Sequence, residues 1–313
     1  MISIALLTIM SFACETPLTN IPPSKLPQTE SKLVVNAIIS PQLAYINVVV
    51  TESIPLFSET DATEERVADA LVRISDGVNE VVIPYDAENK LYSIPKSKFP
   101  IKDSKTYYLF VSDKTRSATA QCSVPGRKPE IKSYQLDTMV VSNTFGQDTI
   151  LTLQTSWQDI PSDTNYYKVN ADIQIEYSIG KRDDKGGFQE VRRTDNFRFN
   201  WNWQEGRNDF LSDKHLNGLI INSPLGKFNF LTPTALTLSD GKKVTIYPKG
   251  KTTVILLEVL NVDQNFYKYQ MSIASSNNSD SPFAEPAPLY TNIKGGFGCF
   301  AAYNAVQLKL NRF

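Results

Sequence analysis

The feature that most limits what this chain can fold into is a series of short segments with an apolar residue at every second position. Successive side chains of a β-strand point to opposite faces, so a period of two marks a strand with one buried face. Thr106–Ser112 sets Tyr107, Leu109 and Val111 against Tyr108 and Phe110, and Ser117–Val124 puts Ala118, Ala120, Cys122 and Val124 on one face. Tyr45–Thr51 does the same with Ile46, Val48 and Val50, while Leu33–Ile39 is a continuous apolar run suited to a buried strand. Leu71–Ser75 and Val78–Ile83 flank Asp76-Gly77, a dipeptide that favours a tight hairpin. Six or seven short strands within about 95 residues predict a small immunoglobulin-like β-sandwich.

The same period continues downstream. Thr149–Trp157 aligns Leu151, Leu153, Thr155 and Trp157, and Tyr167–Tyr177 aligns Val169, Ala171, Ile173, Ile175 and Tyr177. Asn196–Trp203 carries Phe197, Phe199, Trp201 and Trp203 on one face and Asn196, Arg198, Asn200 and Asn202 on the other. Phe228–Leu231, Lys243–Tyr247 and Thr252–Leu260 read as further strands, and Asp183 to Gly187 as a polar turn. One helix is predicted after Asp263, which can cap it, with Phe266, Tyr269, Gln270 and Ile273 at helical spacing. The predicted fold class is therefore all-β, an N-terminal immunoglobulin-like sandwich followed by a larger β-rich domain with one short helix. Pro125-Gly126 ends the first unit, so the expected domains are residues 32–126 and 127–313.

Ahead of them lies a different kind of sequence. Ile2 to Ala13 is apolar, small residues stand at Ser11 and Ala13, and Cys14 follows. This layout predicts a lipoprotein signal peptide over residues 1–13, with lipidation at Cys14, although no Lys or Arg precedes Lys25. Residues 14–31 hold Pro22, Pro23 and Pro27 and no glycine, the composition of an extended spacer. Two acyl chains anchor a protein firmly where one does not.

Composition removes several functions. A net charge of −1 supplies no basic excess for phosphates, so nucleic acid is not an expected partner. Among the cysteines Cys14, Cys122 and Cys299, the last two read as small buried apolar residues. His215 is the only histidine, and no Cys/His spacing suits zinc, so no metal or other cofactor is expected. Asp159, Asp163, Asp172 and Asp183 offer oxygen ligands for calcium without an EF-hand loop. Glu64–Glu65 and Asp183–Asp184 read as solvated loop acids, and Ser212, Asp213 and His215 as a turn that Asn217-Gly218 ends. No catalytic residues are assigned. Gly295-Gly296-Phe297-Gly298 lacks the Lys-Ser/Thr of a phosphate loop and reads as a place of close backbone approach. The aromatic run offers a ligand-binding candidate in Trp201, Trp203 and Arg198, weighed against a simple core face.

The C-terminal run Ser281-Pro282-Phe283-Ala284-Glu285-Pro286, continuing through Leu289-Tyr290-Thr291-Asn292-Ile293 to Gly295-Gly296-Phe297-Gly298 and Tyr303, resembles the ending of the domain-of-unknown-function 4249 family. Phe297 stands for that family's leucine, Cys299 for its isoleucine, and Ala301 and Ala302 for glycines. Glu30–Ile39, Val67–Asp76 (with Asp69 for glycine), Thr106–Val111, Ala118–Pro125, Leu211–Gly218 and Phe266–Tyr269 resemble its other motifs. The resemblance implies an outer-membrane lipoprotein of Bacteroidota encoded beside a TonB-dependent receptor, and it supplies no catalytic residues.

The expected function is thus a non-catalytic, lipid-anchored accessory protein at the outer membrane or cell surface. It would dock on a TonB-dependent outer-membrane receptor and aid ligand capture. The competing expectations are an independent glycan- or peptide-binding adhesin and, third, a hydrolase needing a Ser212–His215 contact.

Overall fold

The computed structural model describes residues 30–54, 66–143, 146–161, 164–182, 188–201, 209–214, 216–229, 234–237, 241, 243–246, 250–277 and 288–311. Cys14 and residues 15–29 of its spacer, Glu64–Glu65, Asp163, the 183–187 turn, Trp203, His215 and residues 281–287 lie outside the described residues.

The first eight strands are β1 (Leu33–Ile39), β2 (Tyr45–Glu52), β3 (Leu71–Ser75), β4 (Glu80–Ile83), β5 (Tyr85–Asp86), β6 (Leu91–Pro95), β7 (Thr106–Ser112) and β8 (Ser117–Ser123). Then come β9 (Glu130–Asn143), β10 (Gly146–Gln158), β11 (Tyr166–Arg182), β12 (Phe188–Arg198), β13 (Asn200–Trp201), β14 (Phe210–Ser212), β15 (Ile220–Asn222) and β16 (Gly226–Asn229). The chain closes with β17 (Thr234–Thr237), β18 (Lys243–Ile246), β19 (Lys251–Val262), helix α1 (Gln264–Asn277) and β20 (Phe297–Asn311). The fold is all-β with one helix among the described residues.

A large sheet runs β12-β11-β19-β20-β1-β2-β6-β5, with β14 beside β11. A four-stranded sheet, β4-β3-β7-β8, shares a core with its β1-β2-β6 end, where Val35, Val48, Ile74 and Leu109 are at most 2% exposed. At the other end, β10 with β9, β13, β15 and β16 shares a second core with β11, β19 and β20, built from Leu153, Ile173, Phe199, Leu257 and others. Full burial of each such side chain contributes about 1.5–3 kcal/mol.

β20 unites the molecule. It pairs parallel with β1, from Val34↔Phe297 to Ile39↔Ala302, and antiparallel with β19, from Tyr303↔Val262 to Asn311↔Val254. Phe300 and Ala302 enter the first core, Leu310 the second, and Cys299, Ala301 and Ala305 a third cluster beneath α1. A strand buried on both faces reads as a nearly continuous apolar run, and Gly298 to Ala302 are all buried. The sheet is therefore continuous across the Pro125-Gly126 junction.

The glycines at the start of β20 make the close approaches expected of them. Gly298 has φ +101°, and a Cβ there would lie 2.2 Å from the carbonyl oxygen of Val35. Gly295, at φ +85°, sits against the Ser117 carbonyl, where the Thr119–Lys294 bridge ties the segment to β8.

Two sequence expectations change in detail. The run Asn196–Trp203 is not one strand: β12 stays with β11 to Arg198, and β13 pairs with β16. The Phe199 N–H still donates to Ala171 O at 2.9 Å, so the chain crosses between the two sheets at this residue. Strand β9 begins at Glu130, in a stretch where no strand was predicted, and pairs along its length with β10. None of its described side chains is fully buried and most are polar, so it lacks the apolar alternation that a buried face imposes. The predicted helix is present: Asp263 Oδ1 accepts the Phe266 N–H at 2.8 Å, satisfying a donor of the first turn.

Candidate functional site

The aromatic candidates divide at the sheet crossing. Trp201 is 6% exposed, with its ring against Gly226, so its indole faces are covered by the core. Phe199 is 2% exposed and packs near Phe228 with ring centroids 6.0 Å apart. Arg198 emerges on the opposite, outer face of the large sheet, where its Nε donates to Asp172 Oδ1 at 3.0 Å.

That outer face forms a groove of about 640 Å3, lined by Asp172, Gln174, Asn196, Arg198, Val254, Leu256 and Lys309 among others. Strand register explains it. Arg198 pairs with Asp172, Asp172 with Leu256, and Leu256 with Lys309, giving one row across four strands. Asn196, Gln174, Val254 and Asn311 form the next row. Directly paired residues share a face, and the intervening Ile173 and Ile255 point into the core. The groove is thus aliphatic along β19 and polar on both sides. A β-bulge at Gln174/Ile175 sets Thr253 out of register, and its hydroxyl donates to Gln174 at 2.8 Å. Bulges bend and twist a strand locally, which shapes this part of the face. On the other side Glu258 is satisfied by Asn170 at 3.0 Å and Gln307 at 2.6 Å. Among the described residues Lys309 has no ion-pair partner.

A second polar centre is buried. Asp159, 1% exposed, accepts from Tyr167 Oη at 2.7 Å and from the Gly218 N–H at 2.6 Å. Tyr167 Oη in turn accepts the Ile160 N–H at 2.9 Å, and burial raises its phenol above the ordinary range. Asp213 lies nearby, accepting from Asn165 Nδ2 at 3.4 Å, and the Leu216 N–H donates to its carbonyl. Asp159 and Asp213 are engaged in folding the 159–167 and 213–218 turns together, and Gly218 takes φ +72° there. Ser212 Oγ accepts the Lys214 N–H at 3.3 Å.

Asp263 is the most perturbed carboxyl among the described residues. Desolvation, partly offset by the N–H of Phe266, pushes its carboxyl up to about 7. Its Oδ2 is buried without a hydrogen-bond partner. It lines a cleft of about 530 Å3 with Ser104, Ser123, Gly126, Arg127 and Asn165, where the N-terminal strands meet the later ones. Cys122 and Cys299 are free and buried; burial raises both thiols, Cys299 to about 12, which leaves them unreactive as nucleophiles. Among the described residues no three His, Cys, Asp or Glu side chains group as metal ligands.

Where the chain enters the fold, Ser31 is clamped. Its one hydroxyl proton is shared between Glu52 Oε2 at 3.1 Å and Ser53 O at 3.0 Å, while Arg116 donates to Ser31 Oγ at 3.2 Å. Arg116 also bonds Glu52 and Asp113, each at 2.5 Å. Burial raises the Asp113 carboxyl, but the Thr115 N–H and the Arg116 side chain and N–H outweigh it and hold it at about 2. Sequence reasoning missed this cluster because its members are spread over 85 positions. It reached Asn196 and Arg198 as a polar face able to line a groove, and missed the rest because Lys309 and Leu256 meet Arg198 only through sheet register.

Comparison with curated proteins gives no match. Comparison with solved structures gives a chain titled biofilm associated protein, BSP domain, at 10% identity and a TM-score of 0.21. The alignment covers 91% of this chain and spans 59% of that one, a likeness too weak to carry an argument. A family profile described as Domain of unknown function (DUF4249) matches residues 19–309, and the chain belongs to that family.

Proposed function

We propose that this protein is a lipid-anchored, non-catalytic accessory of a TonB-dependent transporter, working at the outer membrane or cell surface to capture ligand. The carrying observation is the N-terminal layout: a short apolar segment, small residues, Cys14, and a proline-bearing spacer. That spacer meets the fold at the Ser31–Arg116–Glu52 clamp. Ser31 lies seventeen positions after Cys14. At about 3.1 Å per residue such a spacer reaches roughly 50 Å, enough to hold the fold clear of lipid headgroups. The family resemblance supports a TonB-dependent receptor as partner, and the outer-face groove supplies a place for ligand.

The test is isolation of the tagged protein from membranes solubilised in mild detergent. Recovery of a β-barrel receptor in stoichiometric amount supports the proposal; repeated recovery without one contradicts it.

A further inference from the structure

We infer that the groove on the outer face of β12, β11, β19 and β20 binds a short apolar peptide with a free C-terminal carboxylate. The inference deepens the ligand-capture reading by naming its ligand class, and rests on it. Three observations point to this chemistry.

The first is charge. Arg198 and Lys309 stand at opposite ends of one row of four paired residues. With strands about 4.8 Å apart, their backbones are about 14 Å apart. Asp172 neutralises one side of Arg198 through Nε, while Lys309 has no ion-pair partner among the described residues. The groove therefore carries a net positive charge and one uncommitted ammonium, a ready partner for a carboxylate.

The second is the floor. Val254 and Leu256 occupy the middle of the two rows and are only half-buried, which leaves branched aliphatic surface open between polar walls. Side chains of leucine or valine type cover such a surface. Asn196, Gln174 and Asn311 flank it with amides, which pair with the N–H and C=O groups of an extended peptide.

The third separates peptide from sugar. A sugar ring stacks best on an exposed indole, and the described tryptophans, Trp157 and Trp201, are 0% and 6% exposed. Phe197, the aromatic residue of the lining, has its ring against Tyr177 and Phe228, and the floor along β19 is aliphatic instead. A volume of about 640 Å3 accommodates three or so residues, within the usual range of ligand sites. Three extended residues span about 10 Å, which reaches from the aliphatic strip to Lys309.

The experiment titrates the full lipidated chain in detergent micelles with trileucine, trileucine amide and cellotetraose, by calorimetry. Trileucine should bind, its amide about tenfold more weakly, and cellotetraose not at all. Lys309→Met should weaken trileucine about tenfold and leave the amide unchanged. Lys309 is exposed on a sheet face, so the variant keeps its fold, which its unfolding curve verifies. Equal affinity for acid and amide, indifference to Lys309→Met, preference for cellotetraose, or no binding of trileucine up to about 10 mM each overturns the inference. Receptor recovery is measured separately, so a failed titration beside a recovered receptor sinks the ligand class alone.

Discussion

Replacing Asp263 with asparagine should remove a pH dependence that the native fold carries in its interior. The carboxyl stands at about 7 in the folded protein against 3.8 as its ordinary value, chiefly because burial penalises its charge. A raised folded pKa means that the folded state holds its proton longer than the unfolded chain does. The contribution to stability is complete below the unfolded value and is lost as pH rises through the folded one. At about 1.4 kcal/mol per pH unit, the loss between pH 4 and pH 7 amounts to about 4 kcal/mol. Asparagine caps a helix as well as aspartate does, so Asp263→Asn keeps the bond to the Phe266 N–H while removing the charge from the unpartnered Oδ2. Urea unfolding at pH 5 and pH 8 reads the effect. Wild type should lose stability between the two, and Asp263→Asn should lose less, overtaking wild type at pH 8. His215 is present in both proteins, so its titration cancels in the difference. Identical pH slopes in the two proteins would refute the reasoning.

Further outcomes follow from the close contacts. Gly298→Ala forces a Cβ toward the Val35 carbonyl at a φ of +101°, and should cost about 3 kcal/mol or more in urea unfolding because the parallel β1–β20 pairing must part. Gly226→Ala meets the Trp201 ring at 2.8 Å and should cost about 1–3 kcal/mol as overpacking, with a shift in tryptophan fluorescence. Arg116→Met strands Asp113, whose side chain is 8% exposed, at a cost of about 1.5–3 kcal/mol near neutrality. Since Asp113 is held down at about 2, its stabilisation exists above its unfolded value and disappears as pH falls through the folded one. The gap between wild type and Arg116→Met should therefore narrow from pH 4 to pH 2.

The all-β class was legible because alternation survives wherever one face is wet. Tyr107, Leu109 and Val111 are buried as their spacing requires, and so are Leu151, Leu153 and Trp157. The helix was legible through Asp263 and the apolar residues after it. What the sequence concealed is non-local. Nothing in Asn196–Trp203 marks Phe199 as the residue where the chain changes sheets, since an unbroken stripe of aromatics suits either side of that core. The parallel pairing of β1 with β20 joins positions more than 260 residues apart, and only Gly295, Gly296 and Gly298 at its start hinted at close backbone approach. Of the candidate site, Arg198 was found through its place opposite the aromatics, whereas Trp201 belongs to the core beside Gly226. Lys309, Val254 and Leu256 were invisible as site residues because each looks like an ordinary strand position until register sets them in a row with Arg198.

The central claim is that this fold is held at a membrane through Cys14. Its most direct test compares wild type and Cys14→Ser by membrane fractionation, with the mass of the N-terminal peptide read from the membrane-bound fraction. The account predicts a diacylglyceryl-modified peptide beginning at Cys14 in wild type and release of Cys14→Ser into the soluble fraction. An unmodified Cys14 in the membrane fraction, or a Cys14→Ser variant that remains membrane-bound, would contradict it.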